Sequence, residues 1–125
     1  MKQHTQAAGL GWVIFLLCLS AAAPHAQAAG RIVDCLIEAG GKVEFDGKCR
    51  FTSDGTGGSF SLASRNGQSA LYGSILDVSV SIIETGVADV RGLTKDGINA
   101  RWGEAKRSKQ DRACWVGDDF RVCAR

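Results

Sequence analysis

Apolar and polar residues alternate most cleanly over residues 74–83 (SILDVSVSII), where Leu76, Val78, Val80 and Ile82 are interleaved with Asp77, Ser79 and Ser81. A period of two puts the apolar side chains on one face of a strand and the polar ones on the other, as an antiparallel sheet with one wet side requires. Before it, residues 31–38 (RIVDCLIE) read as a first strand, turned at Ala39-Gly40-Gly41 into residues 42–45. Asp46-Gly47 is a strong turn dipeptide and is expected to bend the chain before residues 48–51. Residues 52–58 (TSDGTGG) read as a glycine loop, 59–63 (SFSLA) as a short strand and 64–69 (SRNGQS) as a polar turn around Asn66-Gly67. After the central strand, Glu84-Thr85-Gly86 turns the chain into residues 87–91, with Ala88 and Val90 inward and Asp89 and Arg91 outward. Thr94-Lys95-Asp96-Gly97 makes the next turn, and Ile98, Ala100 and Trp102 then share one strand face. Residues 105–111 (AKRSKQD) are expected to form a polar, mostly basic connection. No apolar period of 3.6 persists beyond a turn or two, so the fold class is all-β: a small antiparallel meander of about eight short strands, closing as a barrel or a two-layer sandwich.

The closing residues 112–125 (RACWVGDDFRVCAR) read as a hairpin, with Cys114-Trp115-Val116 facing Phe120-Arg121-Val122 across Gly117-Asp118-Asp119. With Asp118 and Asp119 as the loop, residue 117 meets 120, 116 meets 121, 115 meets 122, and Cys114 meets Cys123. A non-hydrogen-bonded pair has a Cα spacing of about 4.5 Å, at the short end of what a disulfide tolerates.

Composition adds the compartment. Residues 12–23 (WVIFLLCLSAAA) form an apolar run too short to span a bilayer as a helix. Pro24 and His25 follow, then Ala26-Gln27-Ala28, an A-x-A cleavage site, so residues 1–28 read as a signal peptide and residues 29–125 as one domain. Of five cysteines, Cys18 leaves with the signal, and Cys35, Cys49, Cys114 and Cys123 remain as an even set in an exported chain. Three connectivities are open. Cys35 with Cys49 and Cys114 with Cys123 are favoured because each closes a short local loop. A four-cysteine zinc site is the competing reading, but no C-x2-C spacing occurs. Loss of Lys2 leaves the domain nearly neutral, unlike the strongly basic modules that bind nucleic acid.

The catalytic repertoire is thin. Both histidines, His4 and His25, lie in the signal segment, which removes Ser-His-Asp relays, Cys-His pairs and histidine metal sites from the domain. Paired carboxylates remain, with Glu38, Glu44, Glu84 and Glu104 as candidates for sugar cleavage; as solvated strand and loop positions they need no such role. The glycine-rich run at residues 54–58 lacks the ligand spacing of a calcium loop. No metal or cofactor site is expected. Trp115 is either core or an exposed contact, and Trp102 is most simply core. Arg101, Lys106, Arg107, Lys109 and Arg112 outnumber Glu104 and Asp111 around the connection. That run is either an ordinary solvated loop or a cationic protrusion able to meet an acidic groove on another protein. Lys106, Arg107, Ser108, Lys109 and Trp115 are the candidate partner-binding residues.

Three segments, CLIEAGGKVEFDGKCRFTSDG (residues 35–55), GSFSL (58–62) and ACWVGDDFRVCA (113–124), carry a family resemblance. Together they resemble a group of small exported proteobacterial proteins with two cysteine pairs. The match covers both ends of the domain and fades over residues 63–103. More distantly, the size and cysteine-stapled all-β design are similar to the periplasmic inhibitors of C-type lysozyme, which are small antiparallel barrels. The inhibitors' Trp-Gly-Ala segment has no counterpart here, so no inhibitory residue is carried over. The expectation is an exported, non-enzymatic domain in the periplasm or outside the cell that binds a protein partner, with a lysozyme-type hydrolase the most concrete candidate. The alternatives are a structural or envelope-stress module without a deep site, and a small carbohydrate-active enzyme using paired carboxylates. N-terminal sequencing of the exported protein should find Ala29 first; an intact Met1 would remove the signal reading.

Overall fold

In the computed structural model, the described residues are 30–125 together with Gly9, Gly11, Ile14, Phe15, Cys18, Leu19 and Ser20. The expected cleavage site at 26–28 and both histidines lie outside them. Eight strands run in chain order around a closed antiparallel barrel: β1 (Arg31–Ala39), β2 (Lys42–Ser53), β3 (Phe60–Ala63), β4 (Ile75–Glu84), β5 (Val87–Thr94), β6 (Asn99–Arg107), β7 (Cys114–Val116) and β8 (Phe120–Ala124). The ring closes where Cys35 to Ala39 of β1 pair with Ala124 to Phe120 of β8. Bulges at Ile37/Glu38, Ile75/Asp77, Ile82/Glu84 and Val90/Arg91 add the local twist that lets short strands curl into a barrel rather than stack as two sheets. Among the described residues, no helix is long and apolar enough to cross a membrane.

Ile37, Leu62, Val78, Val80, Val90 and Val122 fill the barrel and are fully buried. Burying a side chain of this kind contributes about 1.5–3 kcal/mol. On the β5–β6 side the inner positions are small, with Ala88 and Ala105 buried and Gly92 lying under the Trp102 indole. The β7 strand is too short to ladder β6 to β8 along their full length, and Trp102, edge-on to Phe120 at 5.8 Å between centroids, packs on the stretch that it leaves unpaired.

Both expected disulfides form. Cys35–Cys49 lies inside the barrel and ties β1 to β2. Cys114 and Cys123 sit directly opposite each other with Cα atoms 4.0 Å apart, in the expected register of 114 with 123, 115 with 122 and 116 with 121. Trp115 and Val122 belong to the core, so this second bridge lies on the outer face of the wall. It is nevertheless buried, and an Arg121 Nη2 lies 3.4 Å from the Cys114 sulfur. Loops this short give stabilisation of about 2–4 kcal/mol per bridge, and two cystines fit an oxidising compartment.

Four expectations need correction. Asp46-Gly47 does not turn: β2 runs straight through it, because β1 continues alongside and pairs Leu36 with Asp46 and Cys35 with Gly47. Gly47 faces inward beside the internal disulfide, directly across from Cys35. In β4 the bulge leaves Leu76 without a partner and hands the core position to Ile75. Ile98 is exposed and precedes β6, while β6 extends through Ala105, Lys106 and Arg107, so the first three residues of the expected basic loop are strand. Residues 70–73, given no role above, fold back over one end: Leu71 donates to the Ile75 carbonyl and is buried. There burial, and then the nearby Glu44 carboxylate, push the Tyr72 hydroxyl up to about 12.

The connection between β6 and β7 is braced by one ion pair. Arg125 donates to both Asp111 oxygens at 3.0 and 2.7 Å, and the Ala113 amide donates to Oδ1 at 3.2 Å. The Arg125 hydrogen bonds, and then the Ala113 amide, hold the Asp111 carboxyl below its ordinary 3.8. A carboxyl depressed in the folded state stabilises fully above its unfolded pKa, and that contribution disappears as the pH falls through the folded value. Asp111→Asn should therefore lower the melting temperature at pH 7, and the gap from wild type should close on acidification below 3.8; a gap independent of pH would refute this. A β-carbon at Gly92 would come within 2.8 Å of the Trp102 ring. Gly92→Ala should cost about 1–3 kcal/mol in a denaturant titration, and an unchanged midpoint would show that Trp102 is free to move.

Candidate binding site at the barrel mouth

Antiparallel order brings the start of β1, β3, β5 and β7 and the finish of β2, β4, β6 and β8 to one end of the barrel. That end is a cavity of about 550 Å³. Its apolar wall is built by alternation: Phe51 and Phe60 end the inner faces of β2 and β3 and stack at 4.8 Å between centroids, and Trp115 begins the inner face of β7. Trp115 and Phe60 keep only 5% and 7% of their surface exposed, so each ring offers an edge to the cavity and not a free face.

Three arginines form the rim, each delivered differently. Arg31 opens β1 and holds its guanidinium carbon 4.6 Å from the centre of the Phe51 ring. Arg107 closes β6, pairs in register with Trp115 and lies 5.7 Å over that indole. Its Nε donates to the Arg112 carbonyl at 2.8 Å, which pins the connection carrying the third arginine, Arg112, against the end of β6. Among the described residues none of these guanidiniums forms an ion pair, and Glu84 is the single acidic side chain lining the cavity. Cations over aromatic faces are held without losing their capacity to bind anions.

Of the residues expected to meet a partner, the structure brings Arg107 and Trp115 together in this cavity and leaves the others outside it. Lys106 points outward from the wall, opposite in phase to buried Ala105. Lys109 sits exposed in the connection. Ser108 has a structural part: its Oγ accepts from the Gln110 and Asp111 amides, and its own amide donates to the Cys114 carbonyl. Trp115 is core, with one edge toward the cavity, so it is not the exposed aromatic of the second reading. Nothing local in the sequence marks Arg31, Phe51 and Phe60, so far apart in the chain, as neighbours.

Of the four candidate carboxylates only Glu84 lines the mouth. Glu84 is on the mouth rim, Glu38 lies at the opposite end near Arg121 at 3.8 Å, and Glu104 stands across from Asp89 on the outer wall. Asp89 is itself held by Arg91 and Arg101 at 3.1 and 2.6 Å, which offsets that like-charge pairing. Asp77, half-buried on the outer face of β4, is raised by desolvation alone. The opposite end has a shallower hollow of about 360 Å³ that includes Glu38, Asp118 and Asp119. Lys42 and Arg121 line that hollow as well, so its charge is mixed, whereas the mouth sets three arginines against Glu84 alone. No family model matches the chain, and neither a curated protein nor a solved structure matches it.

Proposed function

We propose that the domain is exported to the periplasm or beyond and acts without enzymatic chemistry, by binding an acidic groove of a protein partner at the arginine-rimmed mouth. A lysozyme-type hydrolase is the most concrete candidate. The observation that carries this reading is the convergence of Arg31, Arg107 and Arg112 on one cavity lined by a single acidic residue, Glu84. Such an uncompensated rim favours contact with a carboxylate-lined groove and selects against grooves lined by cations. Ile83, 61% exposed at the bulge beside the rim, adds apolar area at its edge. The two disulfides favour a rigid binder, since contacts made by a preorganised surface lose less to ordering. The absence of histidine from residues 29–125 supports the non-enzymatic part.

Lysis of peptidoglycan by C-type lysozyme, with and without the oxidised protein, tests the candidate partner. Wild type should slow lysis at micromolar concentration, and Arg107→Glu with Arg112→Glu should weaken the effect by about tenfold or more, with Lys109→Glu much milder. Unchanged lysis in the presence of wild-type protein would remove the lysozyme-type partner.

A further inference from the structure

We infer that the barrel mouth is also a pocket for a small amphipathic carboxylate, a ligand with one anionic head and a compact apolar body. This goes beyond a protein partner and does not need one. The cavity's volume of about 550 Å³ falls inside the range of about 300–1,000 Å³ typical of small-molecule sites. Its two kinds of lining are segregated by depth. Phe60 and Trp115, nearly buried, belong to the barrel's core, whereas Arg31, Arg107 and Arg112 are exposed at the rim. A ligand seated in this order puts its apolar part against ring edges and its charge among guanidiniums.

A carboxylate suits the rim because the planar guanidinium fork matches it with two parallel hydrogen bonds. The Nε of Arg107 is already engaged by the Arg112 carbonyl, which leaves its two terminal nitrogens for a ligand and orients them. Arg107 and Arg31 are further restrained against the Trp115 and Phe51 rings, so little side-chain freedom remains to be lost on binding. An inorganic oxyanion would leave the aromatic wall unused, and a neutral hydrocarbon would leave the arginines without a partner. The hollow at the other barrel end mixes Glu38, Asp118 and Asp119 with Lys42 and Arg121, so it has no uncompensated cationic rim to hold the same ligand.

The probe is 4-phenylbutyrate, titrated into the oxidised protein purified from an exporting cell, with 4-phenylbutanol and acetate as partners lacking the charge and the apolar body. Amide and indole NMR signals provide the readout. The Trp115 indole signal should shift saturably with 4-phenylbutyrate, and that of Trp102, which packs against Phe120, should stay still. The alcohol and acetate should each bind at least about tenfold more weakly, equal to about 1.4 kcal/mol. Arg107→Gln with Arg112→Gln should weaken 4-phenylbutyrate by a similar factor, and Lys109→Gln should leave it unchanged. Should the double variant fail to fold, raising salt from about 50 to 500 mM must weaken the carboxylate and not the alcohol. No saturable shift, equal binding of the alcohol, or shifts centred on Trp102 would overturn the pocket. Ligand binding without any effect on lysozyme would remove the protein partner alone, and inhibition of lysozyme without ligand binding would remove this pocket alone.

Discussion

Closure of the sheet between β1 and β8 is the contact on which the rest depends. Without it, β1 and β8 would be open edges, with unpaired backbone groups and a core exposed along one side. The seam joins opposite ends of the domain, so its loop-closure entropy is the largest in the fold and is regained only when the whole ring is in place. The two disulfides flank it: one fastens β1 to β2, the other β7 to β8. Each holds together the hairpin that supplies one side of the seam. A small core benefits from that arrangement, because the covalent links restrict the unfolded chain near the two elements that must find each other.

The closed ring then dictates where bulk can go. Aliphatic side chains fill the middle, and the larger rings move toward the ends, Trp102 and Phe120 at one, Trp115, Phe51 and Phe60 at the other. The end near Trp102 is packed over by residues 70–73 and by Trp102 itself, whose indole needs the bare backbone of Gly92. The end near Trp115 has no such cover among the described residues, and it is there that the arginines stand. Charges on the outer wall, such as Asp34 with Lys48 and Asp89 with its two arginines, are exposed or half-exposed pairs that contribute little to stability. The arginines at the mouth differ from them in lacking carboxylate partners, which leaves their charge uncompensated.

Much of this was legible from local patterns. Alternation in residues 74–83 and 87–91 predicts strands with Val78, Val80, Ala88 and Val90 inward, because a period of two has one buried phase when one face is dry. The hairpin register from Cys114 to Cys123 follows from counting outward from a two-residue loop, and both cystine pairings are the ones that short spacing favours among the three possible connectivities. Tertiary pairing overrode local signals elsewhere. Asp46-Gly47 is a turn sequence held straight by its neighbour β1, the bulge in β4 trades Leu76 for Ile75, and β6 carries Lys106 and Arg107 into the ladder because β5 and β7 pair with them. Barrel rather than sandwich, and the gathering of Arg31, Phe51, Phe60, Arg107 and Trp115 at one mouth, depend on the β1–β8 seam. Neighbours across a closed sheet are set by the order of strands around the ring, a long-range property that no window of consecutive residues contains.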